Sequence, residues 1–156
     1  MGDSTREHDV DVAAIEVRPI HENDVHNGFF DVLAQLTSAP PIHAARFAEL
    51  VAEQRRHAQQ QTLVAVDARG NVRASGSVFI EPKFIRGGRP CAHVEDVVVC
   101  RTLRGSGVGR RIISQLVAFA SARGCYKVVL DCAPSNVAFY EKCGFRSNEL
   151  QMALYL

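Results

Sequence analysis

No apolar run in this chain approaches the roughly 18 residues that a membrane-spanning helix needs, so nothing in it reads as transmembrane. The first residues lack both the basic start and the apolar centre of a signal peptide: Met1 to Asp11 is polar and carries Asp3, Glu7, Asp9 and Asp11. Cytoplasmic residence is therefore the expectation. Cysteine pairing is missing as well. Cys91, Cys100, Cys125, Cys132 and Cys143 are odd in number and form neither a Cys-x-x-Cys pair nor a Cys/His cluster at zinc-ligand spacing. Reduced core thiols and no metal are expected. Excess charge is absent too, and a net charge of +1 argues against nucleic acid as the main partner. Lysine is scarce: only Lys83, Lys127 and Lys142 stand among 18 basic residues, so the cations are mostly guanidinium forks suited to phosphate and carboxylate.

What is present fits one globular domain. A chain of 156 residues, 47% hydrophobic and 22% charged, is long enough to bury a core without disulfides. The stretch 1–14 reads as a flexible N-terminus, and 15–156 as the domain. Ile15 to Ile20 suits a first strand. Asn23 or Asp24 is expected to cap a helix with Val25, Phe29, Val32, Leu33 and Leu36 on one face, ending near Thr37 before Pro40 and Pro41. A second helix turns Phe47, Leu50 and Val51 inward. Thr62–Asp67 and Val72–Glu81 form a hairpin, and the valine-rich Cys91–Cys100 is a central strand. A helix opens near Val108 and ends at Gly124, Val128 to Leu130 is another buried strand, a short helix runs from Pro134 through Tyr140, and Phe145–Leu156 supplies a last strand. The order predicts a single α/β domain with a mixed, partly antiparallel sheet flanked by helices.

Three groups of residues carry chemistry. The first is the turn Arg104-Gly105-Ser106-Gly107-Val108-Gly109, between a strand and a helix. Free backbone N–H groups at a positive helix terminus bind phosphate there, and Arg104 and Arg110 add charge. It lacks the Lys-Ser/Thr pair of a P-loop, and Arg110 replaces the last glycine of a dinucleotide fingerprint. A strand-to-helix turn also needs glycines for purely structural reasons. The second group is Glu95 and Asp96, which interrupt an apolar strand where carboxylates are costly unless paired or used. Being adjacent, they are expected on opposite faces of the sheet; one serves as base or acceptor for an amine unless both are simply solvated. The third is Lys127 and Asp131, on one face of the next strand and roughly 13 Å apart, suited to a ligand with a phosphate at one end and an ammonium at the other only where the side chains converge; on spacing alone Lys127 reads as a strand-end surface lysine. The six histidines, His93 near Glu95 among them, show no ligand spacing.

The Arg104–Gly109 loop, followed about thirty residues later by Asn136-Val137-Ala138-Phe139-Tyr140-Glu141-Lys142-Cys143-Gly144-Phe145, resembles the paired motifs of the GNAT acetyltransferase superfamily. Within it, Leu33-Ala34-Gln35-Leu36-Thr37, Glu81-Pro82-Lys83-Phe84-Ile85, Val94-Glu95-Asp96-Val97-Val98-Val99, Gly124-Cys125-Tyr126-Lys127 and Asp131-Cys132 are similar to the glucosamine 6-phosphate N-acetyltransferase family. The resemblance implies a GNAT fold and acetyl-CoA as cosubstrate. It implies main-chain groups of Val97, Val98 and Val99 at the thioester carbonyl, and Arg104, Gly105, Ser106, Gly107, Val108, Gly109 and Arg110 at the pyrophosphate. Asn136 would lie on the pantetheine arm, with Glu141 and Lys142 beside the coenzyme and Tyr140 at its sulfur. Catalytic roles would fall on Glu95, Asp96, Asp131 and Tyr140. The sugar would contact Thr37, Lys83, Phe84, Ile85, Arg86, Glu95, Asp96, Tyr126, Lys127 and Asp131. A homodimer with a shared sugar site is implied, with neither membrane nor nucleic acid as partner. One departure stands out: the family's C-terminal phosphate-binding arginine falls at Tyr155. Phosphate binding then rests on Lys127, Lys83 or Arg86, or the amine is a different one such as a peptide or polyamine. A non-catalytic acyl-CoA sensor is the remaining alternative.

Overall fold

The computed structural model describes residues 10–156. Five strands, β1 (Glu16–Pro19), β2 (Gln60–Val66), β3 (Val72–Glu81), β4 (Cys91–Val99) and β5 (Lys127–Val129), lie side by side in chain order. Pairing is antiparallel from β1 to β4 and parallel between β4 and β5, as hairpins followed by a helical crossover require. The helices are α1 (Phe29–Leu33), α2 (Ala44–Arg56), α3 (Val108–Ala122) and α4 (Val137–Lys142). Each sheet face buries its own apolar set. Ala74, Val78, Ala92 and Val94 meet Ile112 and Leu116 of α3. On the other face Val64, Val66 and Val98 meet Phe29, Val32, Phe47 and Val51. Among the described residues no helix is long and apolar enough to cross a membrane. The expected flexible stretch 1–14 falls partly outside the described residues; within them Val12–Ala14 form a turn, and Val10 and Val12 pack on the core.

The structure corrects three expectations. The first helix is not continuous: a 3-10 turn (Glu22–His26) precedes α1, and the two are broken by Gly28, whose φ of 84° a helix cannot hold. Its cap is neither Asn23 nor Asp24. The His21 ring accepts the Asn23 N–H at 3.3 Å, while the fully buried Asp24 carboxylate turns back to accept from the His21 N–H at 2.8 Å. Asp24 also accepts both arms of Arg18, at 2.9 and 2.7 Å, which satisfies a buried charge. Leu50, expected inward, stays at the surface of α2. Finally, Phe145 joins the core but the following residues form no strand, and Leu150, Met152, Leu154 and Tyr155 are exposed. Among the described residues no strand pairs with this segment, and the outer edge of β5 stays unpaired.

The β3–β4 register carries an irregularity that shapes the site. Ser75 pairs with Val98 and Ser77 with Glu95, so Asp96 and Val97 oppose Gly76 alone. This is a β-bulge, and Asp96 takes the left-handed conformation within it, at φ 52°. The strict alternation behind the expectation that Glu95 and Asp96 face opposite ways stops here: Val94, Val97 and Val99 all pack toward the α3 side.

Because Asp24 has no exposed side-chain surface and its partner Arg18 has 29%, Asp24→Ala removes the buried acceptor while Arg18 can rehydrate. We expect a loss of about 3 kcal/mol in urea denaturation, the low end for breaking a buried pair; a loss below about 1 kcal/mol would show that the pair does not anchor β1.

Candidate active site

A cavity of about 620 Å³ lies between the second half of β4, the glycine loop and α4. Val97, Val98 and Val99 form one wall, Arg104, Gly105, Gly107, Gly109 and Arg110 the second, and Asn136, Tyr140 and Lys142 the third. The sequence motifs thus converge on one space. Three expected members stand apart from the lining: Val108 is fully buried in the core, Glu141 is exposed elsewhere on α4, and the Ser106 hydroxyl donates to the Leu103 carbonyl at 2.6 Å, pinning the loop.

The glycines do different work. Gly105 and Gly107 sit at φ 82° and 90°, where a side chain is strained. Gly109 has no such φ; a Cβ there would come within 3.1 Å of Val99 and 3.2 Å of Phe139, so it permits close packing instead. Gly107 gives α3 no side-chain cap, and Arg111 is the first residue to bond back, to the Gly107 carbonyl at 3.1 Å. The N–H groups of Val108, Gly109 and Arg110 therefore lack helical acceptors at the positive end of a 15-residue helix, a ready anion site. Arg104 and Arg110 also brace the frame: Arg104 donates to the Val99 carbonyl at 3.2 Å, and Arg110 to that of Lys142 at 3.0 Å.

Pairing between β4 and β5 ends at His93 and Val129, yet β4 runs on to Val99. That leaves Val97 to Val99 without a strand partner on the β5 side, the Val99 carbonyl there being held by Arg104. Tyr140 projects from α4 among Phe139 and Phe145, with ring centroids 4.9 and 6.0 Å away. Burial, then the nearby Cys132 and Cys143 thiols, hold its phenol above the usual tyrosine range, so it stays protonated and can donate. The cavity also takes in Gln35, Leu36, Leu103, Phe139 and Cys143, to which no role was attached. Gln35 accepts the Arg101 N–H at 2.9 Å, tying the chain beyond α1 to the end of β4. Its one sequence signal was membership of the Leu33–Thr37 run.

The remaining candidates lie outside that cavity, Glu95 and Lys127 among them on the sheet face away from α3. Cross-strand rows place Ser77 beside Glu95, Phe79 beside His93 and Val129, and Glu81 beside Cys91 and Lys127. Charges segregate along these rows. At one end Glu95 has its carboxyl pushed above the ordinary glutamate range, by burial first and then by the negative charges of Asp131 and Asp96, with His93 opposing. At the other end the Tyr126 ring has the Arg86 guanidinium 5.8 Å and the Lys127 ammonium 5.7 Å from its centre. Lys83 binds Glu81 there at 2.5 Å, and His93 Nε2 meets the other Glu81 oxygen at 2.7 Å. Glu81, Cys91 and His93 thereby gather their donor atoms within 4.8 Å, a cross-strand grouping that residue spacing could not show, and the Lys83 ammonium already occupies the carboxylate. Thr37, Phe84 and Ile85 are exposed and make no side-chain hydrogen bond among the described residues.

Residues 29–145 match the model of the acetyltransferase (GNAT) family. The chain belongs to that family. Among its relatives, glucosamine 6-phosphate N-acetyltransferase 1 of Oryza sativa is 44% identical over 150 residues, which cover 93% of this chain and 89% of the relative. The glucosamine 6-phosphate N-acetyltransferase of Trypanosoma brucei is 38% identical over 94% of this chain and 99% of its own length. The crystal structure of the Arabidopsis thaliana glucosamine-6-phosphate N-acetyltransferase superposes with a TM-score of 0.87 at 35% identity, over 90% of this chain and 97% of that one. This GNAT chain is therefore an acetyl-CoA-dependent N-acetyltransferase, with the single mixed-sheet fold expected of it.

The raised Glu95 carboxyl has a kinetic consequence. If Glu95 is the base of the reaction proposed below, it loses function as pH falls through its own pKa, so the acid limb of kcat/KM should lie above the ordinary glutamate value. Asp131→Asn removes the larger of the two repelling charges and should move that limb to lower pH; a limb that stays in place would detach it from Glu95.

Proposed function

We propose that this enzyme transfers acetyl from acetyl-CoA to the 2-amine of D-glucosamine 6-phosphate, giving N-acetyl-D-glucosamine 6-phosphate and CoA, a step of UDP-N-acetylglucosamine biosynthesis. The observation that carries this reading is the gradient of charge beside the cavity: carboxylates Glu95 and Asp131 at one end, and at the other Arg86 and Lys127 with Lys83, the last already paired to Glu81. An ammonium and a phosphate on one small ligand require that polarity. The names of the relatives at 38–44% identity agree with it. At the position of the family's phosphate-binding arginine, Tyr155 offers no charge, so the phosphate falls to Lys83, Arg86 and Lys127.

In this reading, the free N–H groups of Val108 to Arg110 receive the coenzyme pyrophosphate, and the open β4 edge directs the thioester carbonyl toward main-chain donors at Val97 to Val99. Asn136 contacts the pantetheine arm. Acetyl-CoA brings an activated acyl group, and the chain supplies alignment and proton handling in a ternary complex. Glu95 takes or orients the proton of the amine, the nitrogen forms the C–N bond as the C–S bond breaks, and Tyr140 donates to the departing sulfur. Direct attack needs no cysteine acyl-enzyme.

The active form in this reading is a homodimer with a shared sugar site. Supporting it, Leu150, Met152 and Leu154 alternate in an exposed tail, and Gln151 reaches the Asp131 carboxylate at 2.8 Å. A second copy would cover such apolar surface.

Mass spectrometry of a mixture of the enzyme, acetyl-CoA and glucosamine 6-phosphate should show N-acetylglucosamine 6-phosphate; product at background would reject this substrate, and a panel of amines under one thiol-release assay would then identify the acceptor. Tyr140→Phe should lower kcat by roughly ten- to a hundredfold with acetyl-CoA affinity nearly intact, since the lost hydrogen bond matters as the thiolate forms. An unchanged kcat would remove Tyr140 from the mechanism.

A further inference from the structure

The orientation of one half-buried amide propagates across three strands toward Glu95. The backbone N–H of Thr62 donates to Gln54 Oε1 at 3.1 Å. A backbone N–H can only donate, so the oxygen end of the Gln54 amide faces it, and the NH2 end must be the group 3.0 Å from Thr62 Oγ1. Thr62 Oγ1 thus accepts from Gln54. It lies 2.8 Å from Ser77 Oγ, its register partner on β3. Each hydroxyl has one proton, and Ser77 is the only acceptor that the Thr62 proton finds among the described residues. Spending that proton on Ser77 leaves the Ser77 proton for a third group.

The residue paired with Ser77 on the far side is Glu95. Paired residues on adjacent antiparallel strands share a face with Cβ atoms about 4.5–5.5 Å apart, a span that rotation of a serine and a glutamate side chain closes. The Glu95 carboxylate accepts no hydrogen bond from a described residue, Ser77 included, so an unspent donor and an unfilled acceptor stand on residues paired in register. The other groups acting on Glu95 are all titratable: Asp96 beside it on β4, Asp131 beyond β5, and His93 two residues earlier on β4. Ser77, the register partner of Glu95 on β3, offers it a neutral donor.

We propose that Ser77 is a positioning residue for Glu95, donating one hydrogen bond to its carboxylate, with Gln54 and Thr62 setting the direction of that bond. The inference rests on Glu95 as the group that meets the amine in the proposed reaction. Thr62 is buried and Ser77 half-buried, so the chain holds its geometry, whereas the exposed Glu95 side chain would otherwise sample several rotamers.

The test compares wild-type enzyme with Ser77→Ala, which deletes the donor, and Ser77→Thr, which restores a hydroxyl; thermal melts check that all three are folded. The readout that does not depend on turnover is the NMR titration of the Glu95 side-chain carboxyl in the free enzyme. Losing a donor to the charged form should move that titration upward by about half a unit or more in Ser77→Ala, with Ser77→Thr near wild type. In turnover, Ser77→Ala should lose about tenfold in kcat/KM for the amine at neutral pH with KM for acetyl-CoA unchanged. A Glu95 titration identical in wild type and Ser77→Ala, or displaced equally in both variants, would overturn the inference. The identity of the substrate is decided separately by wild-type turnover, so failure of the one is not mistaken for failure of the other.

Discussion

The bulge in β4 is the constraint on which the rest of the structure depends. Two residues, Asp96 and Val97, must fit opposite the single residue Gly76. Left-handed backbone at a non-glycine residue costs about 1–2 kcal/mol, so the surroundings must over-determine it. They do so through α3, which lies so close that a Cβ on Gly76 would sit 2.9 Å from Ile112 and 3.2 Å from Leu116. Were β3 to carry a side chain there, the helix would be pushed off the sheet, and with it the glycine loop at its N-terminus. The same bulge returns Val97 and Val99 to the α3 side while Glu95 and Val98 stay off it. One irregularity therefore sets both the wall of the cavity and the placement of its adjoining carboxylate.

Divergence of β4 from β5 completes that arrangement. Where the two are paired, at Cys91 to His93, the sheet is closed and its exposed face gathers the cations around Tyr126. Where they part, backbone groups come free and the carboxylates collect. A ligand spanning the junction would meet positive charge over paired strands and negative charge beside the gap, with the coenzyme entering along the open edge. In the proposed reaction this order places the amine, and not the phosphate, at the thioester.

What could be read from the sequence was whatever is local in the chain. The Gly105 and Gly107 turn, the start of α3 at Val108, and the hairpin of β2 and β3 each rest on neighbouring residues, and the structure has them where periodicity and turn chemistry put them. Features that need a partner across strands were not legible. Asp24 carries the residue type of a cap, but only the fold reveals Arg18 beside it. The bulge leaves no mark in Val94-Glu95-Asp96-Val97, since Asp96 holds a conformation usually reserved for glycine. Likewise Glu81, Cys91 and His93 meet because β3 and β4 are in register, and Gln54, Thr62 and Ser77 because α2 lies over β2. The C-terminal alternation from Leu150 to Leu154 reads as a strand for a sound local reason, yet no described strand pairs with it.

Burial acts on the two proposed proton-handling groups in the same direction and with opposite usefulness. It disfavours the charged form of each, raising both the Tyr140 phenol and the Glu95 carboxyl. For the phenol this only secures what was already so at neutral pH, a bound proton ready for a developing thiolate. For the carboxyl it strengthens a base that would otherwise be too weak to compete for the proton of an ammonium, and Asp96 and Asp131 push further the same way. The limit on that push is set by the need to keep Glu95 ionised when substrate arrives. His93 opposes the rise, and a neutral donor facing the carboxylate does the same without adding a positive charge that would repel the incoming ammonium.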